Sequence, residues 1–172
     1  MKNLLILLCL SSFLLGFSQE KDTIEFKRNE LKGNALMLVA GAVEFTYERL
    51  LNDESAVGVS LFFPYDDNIN INFSLTPYYR FYFGKKPAAG FFAEGFGMLN
   101  NYKYGNGNYS TLKTGNATDF ALGFGIGGKW ITKKGFVFEI NSGVGRNLFN
   151  SISRDYDNQI VGRGGITLGY RF

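Results

Sequence analysis

The sequence predicts an all-β protein, an eight-stranded antiparallel up-and-down transmembrane β-barrel. Three observations predict this fold: apolar and polar residues alternate with period two, long and short connections alternate between the predicted strands, and glycine and aromatic residues are abundant. The chain of 172 residues contains 22 glycines, and 17% of its residues are aromatic. Aromatic residues in alternating runs are typical of strands, and this length suits one domain.

The N-terminal part of the chain predicts export. Residues 1–19 have the features of a signal peptide, since Lys2 precedes an apolar run that small residues follow. That run is shorter than the roughly 20 residues with which a helix spans a bilayer. Residues 20–32 are charged and weakly patterned, and we interpret them as a periplasmic lead-in to a barrel over residues 33–172. The one cysteine, Cys9, lies in the predicted signal peptide, so we expect no disulfide.

Eight segments carry the alternation. In chain order, the predicted strands are 33–40, 43–51, 56–63, 71–83, 89–101, 119–130, 136–144 and 163–172. The clearest is INFSLTPYYRFYF at 71–83, which exceeds the roughly five to six residues of a common soluble strand and is long enough to cross a bilayer. The segments 33–40 and 89–101 alternate more weakly.

The predicted connections alternate in length. Those that follow the third, fifth and seventh strands are long, and those that follow the second, fourth and sixth strands are short. The first connection, near 40–41, is short and breaks the rule. Outer-membrane barrels have short periplasmic turns and longer external loops, and this pattern matches them. Both chain termini then lie on the periplasmic side.

One face of the predicted strands is small and charged, while the other is apolar. The charged residues of the first face are Glu44, Glu48, Arg80, Glu94, Lys129, Glu139, Arg163 and Arg171. Side chains fill the interior of an eight-stranded barrel, and an unpaired buried charge is costly. We therefore predict a charge-paired interior and an apolar face toward lipid. If the interior were hydrated throughout, the same residues would line a narrow polar pore.

The final strand carries the sequence GYRF, with Tyr170 and Phe172 on the apolar face. With the export signal and the eight strands, this ending resembles bacterial outer-membrane β-barrels, in which the barrel-assembly machinery reads a C-terminal aromatic strand. The segment NALMLVAGAVEFTYERLLNDESAVGVSLFF at 34–63 resembles small uncharacterised barrels of Bacteroidetes-type bacteria. The resemblance implies a location in the outer membrane, contact with its lipid, and Tyr170 and Phe172 as an assembly signal. It implies no activity.

The stretch GFGIGGKW at 123–130 imitates a nucleotide-binding motif. Gly123, Gly128 and Lys129 have P-loop spacing, but Trp130 replaces the hydroxyl residue that binds Mg²⁺, and no helical pattern follows. The alternation continues through the motif, which favours a strand whose glycines make room for neighbouring side chains. We expect no cofactor and no metal ion.

These patterns predict a non-enzymatic outer-membrane protein. It would be structural, or it would present the loops 101–117 and 147–162 to an extracellular partner. The alternative is a narrow channel or carrier for small or apolar solutes. The chain has no histidine, the usual base of catalysis, and its net charge of +3 is too small to favour nucleic acid.

Overall fold

A computed structural model describes residues 27–104, 115–149 and 159–172. This part of the chain forms eight strands and one short helix. In chain order, the elements are β1 Asn29–Asn34, α1 Ala35–Ala40, β2 Ala42–Leu50, β3 Ser55–Pro64, β4 Ile71–Tyr82, β5 Gly90–Tyr104, β6 Gly115–Ile131, β7 Phe136–Asn147 and β8 Ile160–Arg171. The predicted signal peptide lies outside the described residues. Within those residues, no helix is long and apolar enough to cross a bilayer.

The strands form a closed barrel in chain order. Each strand pairs antiparallel with its neighbours, and β1 pairs with both β2 and β8. At the seam, the Phe172 N–H donates to the Asn29 carbonyl over 2.8 Å, and the Asn29 N–H donates back over 3.1 Å. The predicted closed, eight-stranded, up-and-down antiparallel barrel is confirmed.

The first strand and its connection differ from the prediction. The predicted lead-in ran to residue 32, but β1 begins at Asn29, and the predicted strand over 33–40 becomes helix α1 after Asn34. The helix has both of its end signals, because the Asn34 side chain accepts a hydrogen bond from the Met37 N–H over 3.2 Å and Gly41 ends it at φ 102°. An uninterrupted apolar run such as ALMLVA has no period that distinguishes strand from helix.

The strands beside the two long loops are longer than predicted. Pairing of β5 with β6 continues to Tyr104 and Gly115, so the outer parts of the predicted loop 101–117 are strand. Likewise, β7 includes Asn147 and β8 begins at Ile160, which shortens the predicted loop 147–162. The central parts of both loops, 105–114 and 150–158, lie outside the described residues.

The two ends of the barrel differ in their connections. We call the end with connections 51–54, 83–89 and 132–135 the turn end, and β1 starts and β8 finishes there. We call the opposite end, where α1 and the other connections lie, the loop end. The turn half and the loop half are the corresponding halves of the interior.

The glycines of β6 are packing positions. In the register of β5 with β6, Gly123 faces Phe96 and Gly127 faces Phe92. A Cβ atom at Gly123 would also lie 2.6 Å from the Val144 carbonyl oxygen. Large inward side chains of β5 therefore fill the space that the glycines leave. The stretch GFGIGGKW is a continuous strand, as its alternation predicted.

Candidate functional site: the charged interior

The structure places all eight of the predicted charged residues on the inner face of the barrel. Their burial reverses that of a soluble protein: Arg80 is 1% exposed and Glu48 is fully buried, whereas Phe124 on the outer face is 68% exposed. Glu44 and Arg163 lie in the loop half. The other six lie in the turn half: Glu48, Arg80, Glu94, Lys129, Glu139 and Arg171.

Glu48 is the centre of the turn half. Its carboxylate lies 2.8 Å from Lys32 Nζ and 3.0 Å from Arg80 Nη1, and it also pairs with Lys129 Nζ. These cations come from β1, β4 and β6, so one anion on β2 links strands around the barrel. Such a group of charges is stable in a dry interior only when its members are paired and hydrogen-bonded.

Two tyrosines complete the coordination of this carboxylate. The hydroxyl of Tyr78 donates to Glu48 Oε2 over 2.6 Å, and the hydroxyl of Tyr82 donates to Oε1 over 2.6 Å. The guanidinium carbon of Arg80 lies 3.8 Å from the centre of the Phe92 ring, on the other side of the cluster. Aromatic side chains therefore contact both Glu48 and Arg80 in this cluster.

Arg80 crosses the interior. Its Nε and Nη2 atoms bind Glu94 over 3.1 and 2.7 Å, and its Nη1 atom binds Glu139 over 2.8 Å in addition to Glu48. A guanidinium has five N–H donors in one plane, and this allows it to serve three carboxylates at once. The side chain therefore pairs with Glu94 directly opposite on the neighbouring strand β5 and joins β4 to β2 and β7 across the lumen.

Sequence reasoning missed two members of this network, Glu30 and Lys32 on β1. Glu30 binds Lys129 Nζ over 2.8 Å and Arg171 Nε over 2.7 Å, while Lys32 binds Glu139 over 2.9 Å. The two residues flank Leu31, so the alternation was present in the sequence. The alternation covers only a few residues inside a charged segment, so by itself it does not distinguish a strand from the predicted lead-in.

The β4–β5 connection closes the turn end. Arg171 donates to the carbonyl oxygens of Pro87 and Ala88 over 3.1 and 2.8 Å. Ala88 is fully buried and packs with Leu50 and Phe92 in an apolar cluster below the charges. The lumen therefore ends on backbone and apolar side chains at this end.

The loop half is held by separate contacts, most of them neutral. Examples are Thr46 with Ser60 at 2.8 Å, Asn100 with Asn147 at 2.9 Å, and Asn34 with Glu44 at 2.6 Å. Arg163 Nη1 forms an ion pair with Glu94 Oε1 at 3.3 Å without hydrogen-bond geometry, and its Nη2 donates to Ser60 Oγ over 3.2 Å, whereas Asp119 Oδ2 makes no hydrogen bond. Buried polar atoms of this kind are common sites for bound water. This half is polar without being fully paired.

The arrangement pairs carboxylates with cations and not with one another. Within the described residues, no three acidic, histidine or cysteine side chains gather as metal ligands do. The interior charges therefore act as cross-links between strands. Together with the fold, they define an eight-stranded up-and-down barrel with a cross-linked, charge-filled interior.

A solved structure has the same fold. The chain is similar to the N-terminal β-barrel domain of OprF from Pseudomonas aeruginosa, with a TM-score of 0.60. The match covers 84% of this chain and 96% of that one, at 16% sequence identity. No family model and no curated protein matches the chain.

Proposed function

We propose that this protein is a non-enzymatic, integral barrel of the outer membrane with a closed interior, which acts structurally or presents its long loops to a partner. The observation that supports this proposal is that charged side chains lie inside the barrel and uncharged ones outside, the reverse of a soluble protein. Charged side chains fill the lumen, while the outward positions of the described strands are uncharged except near the ends, at Arg49, Lys103 and Arg146.

The uncharged band is tall enough for a bilayer. On β7 it runs from Phe136 to Val144, and Arg146 is the next outward residue. At roughly 3.4 Å per residue this is about 27 Å along the strand. With a tilt of about 35–45°, the height is about 20 Å, close to the roughly 25 Å of known outer-membrane barrels. A closed barrel also leaves no unpaired strand edge in hydrocarbon.

The contacts in the interior favour a closed barrel rather than a channel. Arg80 crosses the lumen to Glu48 on β2 and Glu139 on β7, and Arg171 binds the 83–89 connection that closes the turn end. A narrow channel remains the second candidate, because the loop half holds unpaired polar atoms such as Asp119 Oδ2. Those atoms support water entry from the loop end only, and the charged cluster then blocks the path.

The orientation of the barrel in the membrane gives its two ends different roles. We propose that the turn end faces the periplasm and that connections 105–114 and 148–159 face outward, where a partner would bind. The predicted export signal and the outward-facing Tyr170 and Phe172, which we propose as the signal for the barrel-assembly machinery, support this assignment. The lack of histidine in the sequence argues against histidine-dependent catalysis.

Single-channel recording tests the closed interior. Protein refolded in vesicles is first checked by heat-modifiable gel mobility, since a folded barrel migrates differently from a boiled one. We expect no conductance steps in planar bilayers, because charged side chains cross-link the lumen. Conductance steps that change size in Arg80→Met would instead establish the channel.

Labelling of whole cells tests the orientation. A cysteine is introduced in a long loop as Ser110→Cys, with Lys133→Cys in a turn as the matched control. A membrane-impermeant maleimide should label the first variant in intact cells and the second only after the outer membrane is opened. The reverse pattern would overturn the proposed orientation.

A further inference from the structure

The outer wall has an apolar groove where β5, β6 and β7 approach the turn end. Its volume is about 510 Å³, and its walls include Phe91, Ile126, Trp130 and Ile140. Gly128 faces outward between Phe91 and Ile140 of the adjoining strands, and the Trp130 indole lies against it, since a Cβ there would be 2.9 Å from the ring. The groove is therefore an open depression on the outer surface between bulky apolar side chains.

This groove continues into a basic depression. The second depression, of about 200 Å³, shares Gly90 and Trp130 with the groove and is also lined by Lys85 and Lys86 of the β4–β5 connection. The neighbouring β6–β7 connection, TKKG at 132–135, adds two exposed lysines. Neither connection contains an acidic residue. An apolar surface therefore ends at a cluster of cations.

We infer that this surface binds an anionic glycerophospholipid of the periplasmic leaflet, with an acyl chain in the groove and the phosphate at Lys85 and Lys86. The inference rests on the proposed function, since it requires the outer wall to face lipid. Lysines beside a bilayer attract anionic headgroups, and tryptophan is enriched at the membrane interface, where Trp130 would lie. Charge complementarity favours an anionic lipid over a zwitterionic one.

Trp130 allows a direct test because it is the only tryptophan of the chain. The folded protein is placed in phosphatidylcholine vesicles that contain equal fractions of either brominated phosphatidylglycerol or brominated phosphatidylcholine, whose bromine atoms quench nearby tryptophan fluorescence. We expect the anionic lipid to be enriched at Trp130 by about fivefold for each lysine that it contacts. The variant K85A/K86A should lose the enrichment, and Lys103→Ala, at the loop end, should keep it.

The outcomes separate this inference from the proposed function. Equal quenching by the two brominated lipids would overturn the lipid site and leave the membrane barrel in place. The absence of quenching by either lipid would overturn the membrane barrel itself. If K85A/K86A fails to show heat-modifiable mobility, a salt titration of the unaltered protein replaces it, because salt screens exposed lysines. An enrichment that persists in molar salt would contradict recognition of the headgroup by charge.

Discussion

The two halves of the interior have the same wall but different contents. In the turn half, each charged side chain meets several partners, and Glu48 alone contacts three cations and two tyrosine hydroxyls. In the loop half, single hydrogen bonds such as that between Thr46 and Ser60 predominate. Buried polar atoms without a hydrogen bond occur in both halves, at Asp119 Oδ2 in the loop half and at Asn141 Oδ1, opposite Gly127, in the turn half. The turn half is cross-linked by ion pairs, whereas the loop half combines single hydrogen bonds with an apolar cluster that includes Phe96, Met98 and Ala121.

The two halves are therefore expected to have different roles, the turn half in the stability of the barrel and the loop half in tolerating change beside the loops. Many ion pairs in a dry interior are costly to break singly, because each loss leaves other charges uncompensated. Neutral hydrogen bonds contribute about 0.5–1.5 kcal/mol each, less than hydrogen bonds to charged groups. We therefore expect the turn half to hold the barrel closed and the loop half to tolerate change beside the loops. Matched substitutions in the two halves can test this expectation.

The largest difference should come from the same substitution at two positions of β2. Glu48→Gln leaves three buried cations without their central anion, so we expect the free energy of unfolding to fall by about 3–5 kcal/mol. Glu44→Gln keeps an oxygen that accepts the hydrogen bond from Asn34 Nδ2, so it should cost no more than about 1 kcal/mol. Urea unfolding in vesicles, followed by Trp130 fluorescence, measures both. Equal losses would show that the two halves do not differ in this way.

The contrast between the halves was only partly readable from the sequence. The alternation over 71–83 predicted that Arg80 faces inward, and it does so. Its partner Glu94 lies directly opposite on β5, but Glu48 and Glu139 are on β2 and β7, and those cross-lumen contacts depend on barrel register and diameter, which no single strand encodes. The sequence does not reveal the charged residues of β1 as interior residues, because the strand is short and Leu31 is its one large apolar residue. Helix α1 was detectable from Asn34 and Gly41, which have the residue types of helix ends.

The second comparison concerns the packing that both halves share. Gly127→Ala in the turn half would place a Cβ 2.5 Å from the Ile140 carbonyl oxygen, and Gly123→Ala in the loop half would place one 2.6 Å from that of Val144. We expect each to destabilise the barrel by about 1–3 kcal/mol, because the clash involves backbone as well as the facing phenylalanine. Gly95→Ala is the control, since a Cβ there meets open space.

These glycine variants change the packing of each half without changing its charge, so they test packing separately from electrostatics. Similar losses at Gly123 and Gly127, with Gly95→Ala within about 0.5 kcal/mol of the unaltered protein, would mean that the halves differ in electrostatics and not in packing. The same urea titration reports all three. A loss confined to Gly127→Ala would instead show that the loop half is loosely packed as well as incompletely paired.

The third comparison deletes one hydroxyl in each half. Tyr82→Phe removes a hydrogen bond to the Glu48 carboxylate, and bonds to charged groups contribute about 1.5–3 kcal/mol. Thr46→Val removes a neutral bond to Ser60 of about 1 kcal/mol, and Ser60 retains its contact with Arg163 at 3.2 Å. A double-mutant cycle of Tyr82→Phe with Glu48→Gln, and one of Thr46→Val with Ser60→Ala, isolates each pair. Coupling must be larger in the first cycle if ionic cross-links, and not tight packing alone, distinguish the turn half.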